Sequence, residues 1–229
     1  MNRLVQLSIK NWLDLQGTKV RWQGEALELL AERFPSGLYE TWNECEVLSP
    51  HAQVVIEYKP TTESHSLQYA ELLHKLARYD EKQGRCDISC RRFSQSLNIC
   101  KAELGKKHPD TLTSMDSLAL VLHKQGKYDM AEVMHWQTLE LREKVLGKEH
   151  PDTLMSMNSL ALELNSQGKY DEVEAMHRQT LGLREKVLGK EHPDTLMSMN
   201  NLGGVLNSQG KYDEAEAMYR QTLELKRKR

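Results

Sequence analysis

The chain has 229 residues, 28% of them charged and 39% hydrophobic, and 31 Lys and Arg offset 33 Asp and Glu to leave a net charge of −2. So even a balance exerts no general pull toward nucleic acid or a membrane surface. No run of about 18 apolar residues exists to cross a bilayer, and charges interrupt every apolar run near the amino terminus, where a signal-peptide core would lie.

The first sixty residues do not repeat. Apolar spacing predicts one helix through Leu4, Leu7, Trp12, Leu13 and Leu15, and a second through Ala26, Leu27, Leu29 and Leu30 that stops at Phe34-Pro35. Leu38, Trp42, Cys45 and Leu48 predict a third, ended by Ser49-Pro50, and Val54, Val55 and Tyr58 a fourth, stopped near Pro60. These make a small helical bundle over 1–62, and three of the four tryptophans fall in it, as a compact core would have.

Beyond it the sequence repeats. His-Pro-Asp-Thr-Leu begins at His108, His150 and His192, and Gln-Gly-Lys-Tyr-Asp at Gln125, Gln167 and Gln209, always 42 residues apart. Segments 108–149 and 150–191 differ at ten of 42 positions. A fainter copy, Gln83-Gly84-Arg85-Cys86-Asp87, gives four units near 66–107, 108–149, 150–191 and 192–229 within an array over 63–229. Each unit reads as two helices. In the last, Pro193 and Asp194 suit a first turn. Leu196, Met199, Leu202, Gly203 and Leu206 then form one stripe, and Gly210 caps the helix. Tyr212, Ala215, Tyr219, Thr222 and Leu223 share a face of the second helix, with Gly203 and Ala215 small where the helices meet. One such pair cannot bury its own stripe, so neighbours stack. The first unit departs from the pattern: Cys86 stands for Tyr, Ser89 for Ala, and Asp80 falls on an apolar position, which predicts a looser interior.

Asn200-Asn201-Leu202 and Gln209-Gly210-Lys211-Tyr212-Asp213-Glu214-Ala215, at this period, resemble the tetratricopeptide (TPR) repeats of the kinesin light chain subclass. The resemblance implies an all-α, right-handed solenoid of about four 42-residue helical hairpins that binds protein or peptide on its concave side. Met1-Asn2-Arg3-Leu4-Val5-Gln6-Leu7, Asn11-Trp12-Leu13 and Leu29-Leu30-Ala31-Glu32-Arg33-Phe34-Pro35 are similar to the tract joining the nucleotide-binding module to TPR repeats in fungal STAND (NLR-like) proteins. In that family the opening commonly reads Met-His, and Asn2 stands in its place here. No Gly-x-x-x-x-Gly-Lys-Ser/Thr phosphate loop occurs in the chain, so the family's nucleotide switching is not carried over and no ATP binding is expected. The resemblance implies the carboxy-terminal sensor half alone.

No catalytic constellation emerges: there is no Gly-x-Ser-x-Gly elbow, no His-Glu-x-x-His and no carboxylate pair in an apolar setting, so neither enzymatic activity nor a cofactor is expected. His108, His150 and His192 read as helix-start residues, and His135 and His177 occupy the aromatic slot of Tyr219 as packing residues. Cys45, Cys86, Cys90 and Cys100 are too sparse for a disulfide scaffold and fit a reducing cytoplasm, and Cys86, Cys90 and Cys100 lack the fourth ligand of a zinc site. The polar positions of the first helices remain: Asn158, Asn165, Asn200 and Asn207, with Asp116, His123 and Lys124 in the second unit. A carboxamide donates and accepts at once, so one per unit makes a ladder for an extended peptide backbone. In kinesin light chain, by the same resemblance, such Asn residues hold peptide ligands. Arg78, Lys82 and Lys124 would favour acidic residues in the ligand. The terminal run Lys226-Arg227-Lys228-Arg229 reads as a solvated helix end. The last unit has no capping helix after it, so Leu202, Leu206, Tyr219 and Leu223 are expected to be exposed and to support a homodimer. The alternative function is self-assembly, the array packing on itself or on a nucleotide-binding partner.

Overall fold

A computed structural model describes residues 12–37, 39–60 and 62–227. Every regular element among them is helical, and the helices of the repeats pair as successive hairpins, in agreement with the all-α solenoid fold. Residues 1–11, which carry most of the first expected helix, lie outside the described residues. The chain forms two compact units that divide between Ser117 and Leu118.

The first unit contains α1 (Lys19–Arg33), a 3-10 turn (Tyr39–Thr41), α2 (Trp42–Val55), α3 (Glu63–Lys82), α4 (Cys86–Glu103) and the start of α5 (Pro109–Lys124). Leu27, Leu30 and Phe34 at the end of α1 pack with Cys45 and Ala52 of α2 and Leu72, Leu76 and Tyr79 of α3. Burial of each large side chain stabilises by about 1.5–3 kcal/mol. The tryptophans are not this core: Trp12 and Trp22 are 58% and 48% exposed, and only Trp42 packs partly against it. Their place is taken by leucines that reach the interior without an indole N–H to satisfy. The expected third and fourth helices are one, with Pro50 inside α2. Cys45, Ser49 and Ala52 are all buried there, and the Ser49 hydroxyl donates to the Cys45 carbonyl at 2.6 Å, so packing on both sides of the proline outweighs its missing N–H.

The hairpin α3–α4 is tighter than its irregular sequence predicts. Asp80 is buried, yet Arg85 donates to it at 2.8 Å and Arg92 also binds it. Ser89 is fully buried and donates to the Ala77 carbonyl at 2.8 Å. A charge that is paired twice is no void.

The second unit holds the rest of α5, then α6 (Tyr128–Leu146), α7 (Pro151–Ser166), α8 (Tyr170–Leu188), α9 (Pro193–Ser208) and α10 (Tyr212–Arg227). The repeated motifs mark the helix ends as expected. His150 and His192 are N-caps whose Nδ1 accepts the N–H of Asp152 and Asp194, each at 3.2 Å. Gly168 and Gly210 take positive φ of 77° and 78° where α7 and α9 end. Leu154, Met157, Leu160, Ala161 and Leu164 of α7 form a core with Val173 of α8. A Cβ on Gly203 would lie 2.8 Å from the Tyr219 ring, so α9 and α10 approach only because that residue is glycine. Leu202 and Leu206 are each 1% exposed and pack with Ala215 inside this hairpin, contrary to the expected terminal patch; Tyr219 and Leu223 are exposed, at 39% and 56%.

Candidate functional site

The predicted groove residues fall into rows set by the repeat: Asp116, Asn158 and Asn200 occupy one position, His123, Asn165 and Asn207 another, seven residues later. Seven residues are two helical turns, so both positions share a helix face. In the second unit, Asn158 and Asn200 are half-buried, Asn165 is half-buried and Asn207 is exposed. Successive repeats bring carboxamides together, but not as like pairs: Asn201 Nδ2 donates to Asn158 Oδ1 at 2.5 Å. The Asn165 Oδ1 is buried and accepts no hydrogen bond among the described residues.

His123 is engaged within the protein. Its Nδ1 lies 2.6 Å from Glu163 Oε2, and its ring meets Tyr128 edge-on with centroids 5.2 Å apart. Glu163 is buried and replaces the valines at 121 and 205, so this pair is particular to one junction. Lys124 is exposed. In the first unit, Asp116 is buried, Arg78 is half-buried, and Lys82 is exposed beside Glu81 at 3.5 Å.

Two arginines not singled out by sequence reasoning hold the junctions. Arg142 Nη1 donates to the Asp152 carbonyl at 3.0 Å and to Ser156 Oγ at 2.7 Å. Arg184, 42 residues on, does the same to Asp194 and Ser198, both at 2.8 Å. Both guanidiniums are buried, and burial pushes that of Arg184 down from its usual range. The signal was available: Arg and Ser recur together at the 42-residue spacing. His177 is also buried in its predicted packing slot, which lowers its imidazole to about 4.

A cavity of about 630 Å³ opens in the first unit between α3, the end of α4 and the start of α5. Its wall includes Gln68, Glu71, His74, Arg78, Cys100, Asp110 and Ser114. None of the predicted asparagines lines it.

A family model for the tetratricopeptide repeat matches residues 68–144, 118–186 and 164–228. The chain belongs to the tetratricopeptide repeat family. TPR arrays are typically non-catalytic protein-interaction scaffolds, whose stacked helices offer extended binding surfaces. A Nucleotide-binding leucine-rich repeat (NLR)-like protein of Hyaloscypha variabilis is 42% identical over 116 residues, a match covering 51% of this chain and 12% of that protein. The chain thus spans a small part of that relative. Among solved structures, a Podosopora anserina putative kinesin light chain with nearly identical TPR-like repeats superposes with a TM-score of 0.71 at 23% identity, over 92% of this chain and 96% of that one. A Rap protein complexed with Competence and Sporulation Factor gives a TM-score of 0.64 at 18% identity, over 82% of this chain and 51% of that one. At these identities the likeness is one of fold. No helix among the described residues is long and apolar enough to cross a membrane.

Proposed function

We propose that this TPR protein is a sensor or adaptor that holds a peptide or protein segment along its second unit through Asn158, Asn165, Asn200 and Asn207, flanked by His123 and Lys124. The observation that carries the reading is the run of carboxamides at repeat spacing on first helices, with Asn158, Asn165 and Asn200 half-buried and Asn207 exposed. Asn158 keeps its Nδ2 donor for a ligand while its Oδ1 serves Asn201. In the first unit Arg78 and Lys82, four residues apart on α3, would favour acidic ligand residues, with Asp116 on α5. The array over 63–229 is the binding element and 1–62 its supporting bundle. The four free thiols fit work in a reducing cytoplasm. A sensor role draws support from the NLR-like relative.

Fluorescence polarisation against a peptide library tests the reading. The pair Asn200→Ala and Asn207→Ala is expected to weaken the selected peptides about tenfold, at roughly 0.5–1.5 kcal/mol per lost bond, with the melting temperature unchanged. Unchanged affinity, or a collapsed melting temperature, removes the groove assignment.

The second reading is self-assembly through the last hairpin, favoured by the exposure of Tyr212, Tyr219 and Leu223. Sedimentation of the wild type and of Leu223→Glu at tens of micromolar decides it: a monomer in both excludes a homodimer.

A further inference from the structure

The repeat makes the first-unit cavity interpretable. Position by position, Cys100 corresponds to Arg142 and Arg184, Asp110 to Asp152 and Asp194, and Ser114 to Ser156 and Ser198. At the two later junctions a buried arginine fills the space and is held by the serine hydroxyl and the aspartate carbonyl. At the first junction the serine and aspartate are retained, but a cysteine stands where the arginine would, and there the cavity opens. A short side chain stands here beside the same serine and aspartate.

A second observation points the same way. Gln68 Oε1, on the cavity wall, is a buried acceptor with no donor among the described residues. Leaving such an oxygen unpaired is unfavourable, and an incoming N–H would satisfy it. Glu71 and Asp110 add carboxylates to the wall, Glu71 already sharing its charge with Lys75 at 2.7 Å. Burial holds the His74 imidazole at about 4, so it opposes no cation at neutral pH. Arg78, the one guanidinium on the wall, lies seven residues from Glu71 along α3, about 10 Å at 1.5 Å per residue. Lys75, the other cation on the wall, is held by Glu71 and by the Ala31 carbonyl at 2.6 Å, and Arg78 lies further along α3 than Gln68 and Glu71.

We propose that this cavity is a receptor for an arginine side chain presented by a protein partner, its guanidinium seated by Ser114, Asp110 and Gln68 as Arg142 and Arg184 are seated by their own serines and aspartates. The planar fork of arginine, with five donors, matches several acceptors at once in a way that an ammonium does not. The site is separate from the asparagine rows of the second unit, so either proposal can fail alone.

Titration of the full chain by nuclear magnetic resonance tests it, with acetyl-Gly-Arg-Gly-amide as probe and the lysine, citrulline and aspartate versions beside it. The arginine peptide is expected to bind and to shift first-unit resonances, with the isosteric but neutral citrulline weaker by about tenfold or more. Cys100→Arg is expected to supply the guanidinium in cis, to abolish peptide binding and to raise the melting temperature. Should that variant fail to fold, Gln68→Leu and Ser114→Ala are each expected to weaken the arginine peptide several-fold. Arg220→Ala, on the exposed face of α10, is expected to leave it unchanged. No binding at millimolar peptide, equal binding of arginine and citrulline, preference for aspartate, or undiminished binding to folded Cys100→Arg or to both Gln68→Leu and Ser114→Ala would each overturn the proposal.

Discussion

In the first unit, the hairpin α3–α4 is closed by an aspartate bound to two arginines, and the helices before it share a leucine-rich core. In the second, the same hairpin recurs with one polar device repeated: an arginine from a second helix reaching a serine and a carbonyl on the next first helix. The difference teaches that a near-identical repeat fixes its junctions by copying a specific hydrogen-bonded clamp, whereas a divergent repeat reaches the same backbone by local solutions and leaves space where the clamp is absent.

The strongest way to break this comparison is to remove a clamp. Arg184→Ala strands the Ser198 hydroxyl, leaves a void and is expected to lower stability by about 3–4 kcal/mol in urea denaturation. Cys100→Ala, at the equivalent position of the first unit, is expected to cost about 1 kcal/mol or less, because its small side chain already borders a cavity. Equal losses would show that the clamp is dispensable.

Acid sharpens the comparison next. Burial holds both His177 and His74 at about 4, against about 6.5 in the unfolded chain. Both are neutral in either state above pH 6.5, where their contribution is complete. As pH falls from about 6.5 to about 4, the unfolded state takes up the protons first, and that stability is lost. With the same lowering in both, the loss is roughly 2–3 kcal/mol for each. Thermal melts across this range are expected to flatten in His177→Phe and in His74→Phe alike.

A smaller effect is expected from Asn158→Ala, about 1 kcal/mol for the bond from Asn201, readable as a modest shift in the denaturation midpoint. The smallest concerns Glu174, which Lys211 and Arg178 hold at about 2 through hydrogen bonds of 2.6 and 2.8 Å. Such a pairing sits at the protein surface and is screened, so Glu174→Gln is expected to cost about 0.5 kcal/mol, and less in molar salt. Its contribution is present above about pH 4.5 and fades as pH falls toward 2.

By itself the sequence determined the hairpins of the array, their caps and their period. These rest on local physics: Pro after an N-cap His, Gly at positive φ, and apolar residues at helical spacing all act within one or two turns. It also determined the small contact at Gly203 and Ala215, because two helices of one repeat must touch. Tertiary structure alone decided which partner each polar residue meets. The predicted row of Asn158 and Asn200 became a bond between Asn158 and Asn201, His123 was claimed by Glu163, and Pro50 stayed inside a helix because its flanks are buried. The first two outcomes depend on how residues some 40 positions apart come within 3 Å, which periodicity aligns by row but does not resolve by atom. The cavity beside Cys100 belongs to the same class: its sequence signal is one short side chain, and only packed neighbours turn that substitution into a space with acceptors around it.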